Sequence, residues 1–557
     1  MKKFRNILAL VLVFFMISCT EDFLDINENP NVPWESEVDQ LMAYAQTTIA
    51  YMQSAGIAYI LNVYTHQVTV REQPDQYGMT PSYGSVNYTW ANFYSGVLPN
   101  LNAVIEAADD EELGFLYTNT AAAAKVLKVH SFTTLADLWG DVPFSEAIRN
   151  IEGIIHPKLD SSAEIYNACF ALLDEAREAF DTGGNPVLGD LIYAGNVTAW
   201  MRAANTLELM MLNKSRLAKS DIPDWSQRMT RLMSAHNNPD VPGFIASNQP
   251  FEVFFTESTA PDQRHPQYGG AYIGSQLSTY ISPWIYELMS GLSINATDNP
   301  FNGIPDPRRA YYWYRQLEPG SDPDNPWEYR HGTFVSIFFG SIGPNRDMSM
   351  TEHATTSGIY PVGGKFDAGE GGYLSGEGNG VAPGKIFTYA DLLFTMLELS
   401  MQEGQDFGDE TELFEAAILA SFQHIDHVVN RGGQEDVPTL VGSEAADDFI
   451  EAASNRFEGA DAERRFEIVM TQKWVSAFFN GIQNYNDYRR TGYPVLFDAN
   501  AESITPEPTP DGDPIVPTQV TRSYPRTMWY PQREVELNPL MDQKGNLVDS
   551  KVFWDKL

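Results

Sequence analysis

From residue 38 to about 219, apolar side chains recur at the helical period. That pattern limits this part of the chain to a fold made by packing helix on helix. In residues 196–219, Asn196 is placed as an N-cap, and Trp200, Ala204, Leu207, Met211 and Ala218 fall on one face. Similar stripes occupy 38–60, 90–108, 115–138 and 162–180, separated by punctuation such as Gly183-Gly184-Asn185-Pro186. From about 221 to 384 the period fades into Gly, Pro, Asn and aromatic residues, with turn signals at Asp298-Asn299-Pro300 and Gly363-Gly364. Helical pattern returns at 386–402, 411–430 and 462–488. The expected fold is mostly α. Tetratricopeptide-like stacked helical hairpins (about 36–220 and 385–495) carry a large loop-rich insert (about 221–384) and an irregular C-terminal tail (496–557). No repeat matches the tetratricopeptide consensus, so the stacking rests on the pattern of helix pairs alone.

The first nineteen residues stand apart. Lys2, Lys3 and Arg5 precede an apolar run from Ile7 to Ile17, which ends at Ser18-Cys19. The run is too short to span a bilayer, for which a helix needs about 20 residues. It has the proportions of a secretory signal, and its ending resembles a bacterial lipobox. Residues 1–18 are therefore expected to be a lipoprotein signal peptide, Cys19 the lipidated first residue, and 19–557 a single domain.

Charge and cysteine count remove several function classes. The chain carries 74 acidic and 36 basic residues, a net charge of −38. Such a field repels phosphate backbones, which excludes nucleic acid as a main partner. Cys19 and Cys169 are the two cysteines, too few for a disulfide scaffold or a cysteine zinc site. Cys169 lies in a helical stripe and reads as a small buried hydrophobe.

Six stretches form a set in order. They are LADLWGDVPFSEA (135–147), DLIYAGNVTAWMRAANTLELMMLNKSRLA (190–218), Asp306-Pro307-Arg308, IFTYADLLFTMLEL (386–399), TQKWVSAFFNGIQNYNDYRRTGYP (471–494) and RSYPRTMWYPQREVELN (522–538). Their order and spacing resemble the SusD-like (RagB/SusD) family of outer-membrane nutrient-binding lipoproteins, over essentially the whole mature chain. The acidic Glu21 and Asp22 after Cys19 resemble the surface-export signal of Bacteroidetes lipoproteins. The resemblance implies capture of an oligosaccharide, or alternatively a peptide, for a SusC-like TonB-dependent transporter, with an outer-membrane lipid anchor. Physically, the motifs read as architecture. A helix should end near Trp139 with Gly140 as its permissive C′ residue, and Asp141 should accept backbone N–H groups in the turn. Arg489 and Arg490 should pair with carboxylates and carbonyls between helices.

No Gly-x-Ser-x-Gly or His-Glu-x-x-His is present, and the glycines at 376, 378 and 380 lack a strand-then-helix context. An exported glycoside hydrolase would need two carboxylates facing across a cleft, a distance that no sequence supplies. The expectation is therefore a binder without catalytic residues, cofactor or metal. His424 and His427 lie beside the stripe Phe414, Ile418, Phe422 and Ile425, and a metal there would need ligands converging from elsewhere. Asp322, Asp324 and Glu328 alternate like part of a calcium loop without its full spacing.

What remains is aromatic surface in loops, where Trp and Tyr offer rigid stacking faces to a sugar. One cluster runs from Arg71 to Tyr88, with Tyr77, Tyr83, Tyr88, Gln73, Asp75 and Gln76. The other holds Trp284, Tyr286, Tyr311, Tyr312, Trp313, Tyr314, Trp327 and Tyr329. The expected ligand-binding residues are Arg71, Tyr77, Tyr83, Trp284, Trp313, Tyr314 and Trp327. Trp90, Trp200 and Trp474 lie on helical stripes and are assigned to the core.

Overall fold

The computed structural model describes residues 37–70, 76–269, 279–295, 298–314, 329–341, 355–358, 379–433, 437–495, 503–504, 518–519 and 522–557. The expected positions Cys19, Arg71, Trp327, Gly376, Gly378, Asp322, Asp324 and Glu328 lie outside these residues, as does the side chain of Tyr314.

The first half is helical: α1 (Val38–Ser54), α2 (Ile57–Tyr64), strand β1 (Val68–Val70), α3 (Gly84–Ala91), α4 (Leu98–Glu106), α5 (Gly114–Trp139), α6 (Ser162–Asp181), α7 (Val197–Lys214) and α8 (Trp225–His236). Sequential helices pack as neighbours, α4 on α5, α5 on α6 and α6 on α7. Local chemistry sets their ends. The Asn196 side chain accepts a hydrogen bond from the Ala199 N–H at 3.1 Å, and Ser161 with Glu164 forms a reciprocal capping box. Gly140 follows Trp139 at φ +77° and its N–H donates to the Ala136 carbonyl. Asp141 accepts from the Ser162 N–H, the start of the next helix.

Two boundaries differ from the sequence reading. The 38–60 stripe is two helices, broken where Gly56 adopts φ +59°, and α7 stops at Lys214, leaving Ala218 in a short 3₁₀ segment. The helix α8 also lies in what the pattern treated as the start of the insert.

The insert contributes β2 (Phe251–Phe254), β3 (Thr279–Ile281), α9 (Pro283–Met289), β4 (Trp313–Tyr314), β5 (Tyr329–His331), β6 (Phe334–Ser336), β7 (Thr356–Ser357) and β8 (Pro383–Phe387). These strands are short and pair two by two, antiparallel: β1 with β3, β2 with β8, β4 with β7 and β5 with β6. Helices then resume as α10 (Tyr389–Glu403), α11 (Glu410–Gly432), α12 (Glu444–Glu458), α13 (Ala462–Ser476) and α14 (Gly481–Thr491), with α15 (Gln532–Leu537) in the tail. The fold is mostly α, a stack of helical hairpins like that of tetratricopeptide proteins.

The two helical halves meet directly, α14 on α2 and α10 on α7. A Cβ on Gly481 would lie 2.2 Å from the Ala58 carbonyl oxygen, so only glycine allows α14 to approach α2 this closely. Likewise, a Cβ on Gly384 in β8 would meet the Ala50 carbonyl at 2.5 Å, which seats the β2–β8 pair against α1.

Buried charge joins the same elements. Glu398 on α10 is fully buried and lies 2.8 Å from Arg490, 3.0 Å from Arg216 and 3.7 Å from Lys473. Burial alone would raise its carboxyl, but the facing cations, Arg490 first, hold it well below the usual range. Arg489 donates to the carbonyls of Asp137 and Arg526, each at 2.6 Å. The tail closes on the same end: Trp554 Nε1 donates to Asp137 at 2.8 Å, and the Met528 N–H donates to the Leu138 carbonyl. The arginine pair of the NDYRR motif therefore holds helices and tail together. Cys169 is buried and free, with its thiol pushed up by that burial. Trp90, Trp200 and Trp474 all lie in the core.

Candidate ligand-binding cleft

A cleft of about 780 Å³ opens where the helical scaffold meets the first strand of the insert. Helix α1 supplies Thr47, Thr48 and Tyr51, and the α3 region supplies Tyr88 and Asn92. The segment 248–256, which includes β2, forms the opposite wall, and His427 and Arg431 at the end of α11 close one side. A second cavity of about 280 Å³ shares Tyr51 and continues past Tyr59, Ser85, Gln267 and Thr279.

Tyr51 stands at the junction and Tyr88 in the larger cleft, 37% and 47% exposed. Their ring centroids are 6.1 Å apart with an interplanar angle of 66°, an edge-to-face pair that leaves ring surface open to the cleft. Partial burial, and then the neighbouring Tyr88, raise the Tyr51 hydroxyl above its ordinary value, so it stays protonated and can donate. Around the pair are the neutral polar groups of Asn92, Asn248, Gln249, Thr256 and Gln263. Gln249 is held from behind, its side chain by Arg202 at 3.2 Å and its carbonyl by the Tyr193 hydroxyl at 3.3 Å.

One wall carries a buried acid. Glu252 on β2 is 5% exposed, with His424 Nε2 at 2.8 Å and His427 Nε2 at 3.2 Å from its carboxylate. Burial alone would raise this carboxyl, but His424 and then His427 outweigh it and hold it at about 2. The histidines do lie beside the buried stripe Phe414, Ile418, Phe422 and Ile425. Their partner, however, comes from a strand far away in sequence. Among the described residues, no group of three or more His, Cys, Asp or Glu is placed to hold a metal ion.

A family model described as "Starch-binding associating with outer membrane" matches residues 30–511. The chain belongs to the SusD-like family. Members of this family associate with the outer membrane, and no helix among the described residues is long and apolar enough to cross one. Solved structures share the fold at low identity. A chitin-binding protein superposes with a TM-score of 0.62 at 19% identity, covering 94% of this chain and 100% of its own. A SusD-like protein from Bacteroidetes gives 0.64 at 17%, covering 94% and 100%. A SusD homologue from Bacteroides fragilis gives 0.64 at 15%, covering 94% and 100%. No curated protein sequence matches the chain.

In this SusD-like chain the expected aromatic platforms turn inward. Tyr77 is 4% exposed, packed edge-to-face on Tyr64 and Tyr524 and within hydrogen-bond distance of His66 at 3.0 Å. Trp284 is 5% and Trp313 1% exposed. With Tyr286, Tyr329 and Phe334 they form a local core for the insert, in which Tyr286 stacks on Phe334 at 3.8 Å. The insert, built from short strands and the fully buried helix α9 that carries Trp284 and Tyr286, uses these aromatics as its core. Tyr77, Trp284 and Trp313 thus present no open ring face, which corrects their assignment as stacking platforms. Tyr83 is half-buried at the start of α3, packed against the core, and lines neither cavity.

Tyr88 belongs to the first aromatic cluster of the sequence, while Tyr51 and Glu252 lie outside both clusters. A signal for Tyr51 does exist. On α1 the buried residues include the apolar stripe Met42, Ala45, Ile49 and Met52, and Tyr44 and Tyr51, seven apart, fall off that stripe and remain partly exposed. Large aromatic residues on the outer face of a scaffold helix are the pattern to look for.

Proposed function

We propose that this protein is a cell-surface lipoprotein that captures an oligosaccharide in the Tyr51–Tyr88 cleft and delivers it to a SusC-like TonB-dependent outer-membrane transporter. In this reading residues 1–18 are removed, Cys19 carries the lipid, residues 19–557 form one domain, and the protein acts as a binder without chemistry on its ligand. The observation that carries it is an exposed, rigid tyrosine pair set in a cleft of neutral amide and hydroxyl groups, the surface a sugar needs for stacking and hydroxyl contacts. The family description as starch-binding, and a relative named as chitin-binding, support the ligand class.

The test is purification of the native protein from outer membranes, with mass spectrometry of co-purifying proteins and retained small molecules. A barrel transporter and a bound oligosaccharide are expected, and Cys19→Ala should abolish the membrane association. Tyr51→Ala and Tyr88→Ala should each weaken binding of that oligosaccharide at least about tenfold with an unchanged melting temperature, because the rings are exposed. Retention of peptide in place of sugar would overturn the oligosaccharide assignment, and recovery of the lipoprotein alone would overturn the transporter partnership.

A further inference from the structure

The cleft carries little acid for so acidic a chain. In a chain with 74 acidic residues, the described lining of the cleft contains one carboxylate, Glu252. That carboxylate is 5% exposed and covered by His424 and His427, so it offers the cleft little accessible negative charge. On the same wall, one helical turn beyond His427, is Arg431.

Arg431 is an exposed residue in the last turn of α11. Buried or half-buried arginines elsewhere in the fold are satisfied by carboxylates or carbonyls: Arg228 by Asp174 and Glu208, Arg308 by Asp306, and Arg456 by the Pro300 carbonyl. The Arg431 guanidinium instead lies 5.4 Å from the ring centroid of Phe254 in the cleft wall, and no carboxylate or carbonyl among the described residues engages it. Stacking on Phe254 restrains the side chain while leaving its planar N–H fork available. A guanidinium resting on Phe254, with no carboxylate partner among the described residues and open tyrosine rings in the same cleft, suits a sugar that carries its own carboxylate, since a guanidinium recognises a planar carboxylate through two parallel hydrogen bonds.

Resting on the glycan-binding reading above, we infer that the cleft selects acidic oligosaccharides, with Arg431 receiving a uronate or sialate carboxylate while Tyr51 and Tyr88 stack on neighbouring rings. The bland role for Arg431, a cation in the last turn of α11 that favours the helix dipole, would affect stability and not ligand choice.

The experiment is an array of purified oligosaccharides in two sets, read with the full mature protein. One set is acidic: homogalacturonan, alginate, hyaluronan and sialyllactose. The other is neutral: starch, chitin, xylan and mannan fragments. Binding within the acidic set is expected, weakening as salt is raised. Arg431→Gln should weaken the best acidic ligand roughly tenfold or more without lowering the melting temperature, the scale of one lost bidentate charge-assisted contact. Methyl-esterifying the carboxylate of that ligand should cost the wild type a similar factor and the variant little more.

Binding confined to neutral glycans, or an affinity for acidic ones that Arg431→Gln leaves unchanged, overturns the inference and leaves the glycan-binding reading intact. Binding to no glycan overturns both.

Discussion

Replacing Glu398 with Gln tests whether the NDYRR arginines hold the fold or read a ligand. The substitution keeps volume and one acceptor and removes one buried negative charge. Before it, the cluster contains Glu398 and Asp487 facing Arg490, Arg216 and Lys473, with Asp487 2.7 Å from Arg490 and 3.1 Å from Lys473. Afterwards Asp487 is the remaining acid of that group for three cations, and the Asn213 amide, which donates to Glu398 at 2.7 Å, faces another amide. Breaking a buried ion pair by removing one partner costs about 3–5 kcal/mol, because the other charges stay desolvated. For a chain of this length the unfolding entropy is of order 1 kcal/mol per degree, so the melting temperature should fall by about 3–5 °C. Scanning calorimetry on the mature protein reads this directly. Arg216→Gln in the Glu398→Gln background should cost less than it does alone, since it then removes an uncompensated cation. A melting temperature within 1 °C of wild type, with ligand affinity reduced instead, would refute the structural role.

Glu252 predicts a pH effect of known sign. Its folded value of about 2 lies below the ordinary 4.5, so the unfolded chain binds more protons between those values. The contribution, roughly 3 kcal/mol at most, is present above pH 4.5 and lost as pH falls toward 2, and Glu252→Gln should flatten that acid limb in urea titrations. Gly481→Ala should destabilise by about 1–3 kcal/mol, because the new Cβ meets backbone at Ala58 and Asn62 and forces α14 from α2; a change in urea midpoint of the sign expected for destabilisation checks it.

The fold was legible where burial is strong and periodic. Helices α5, α6, α7, α10 and α11 all follow stripes visible in the sequence, and the Asn196 cap and the Trp139–Gly140 stop came from local chemistry. The misses have physical causes. The 462–488 stripe spans two helices because Phe478 and Phe479 continue the apolar pattern across a turn in which Phe479 takes φ +61° and Asn480 caps the next helix. Helix α12 escaped notice because four of its first eight residues are acidic, and its buried face is reduced to Ala446, Phe449, Ala453, Ser454 and Phe457.

The cleft was much less legible, and the reason lies in how the two halves solve burial. Stacked helices bury one face each and can leave a tyrosine on the other, so Tyr51 and Tyr88 remain open to solvent. The insert buries Trp284, Tyr286, Trp313 and Tyr329 among its described residues, and ring density there reflects its need for a core. Composition in loops therefore pointed to Trp284 and Trp313, while the open rings sit on or beside helices whose core stripes are already complete. Glu252 adds the second reason. A strand residue reaches two histidines on a distant helix only because Gly384 lets β8, paired to β2, lie flat on α1. That contact is a property of the packed chain, and local pattern does not encode it. The structural charges and the open rings thus lie in different parts of the molecule. Mutations at Glu398 should move stability and those at Tyr51 affinity, each with little effect on the other.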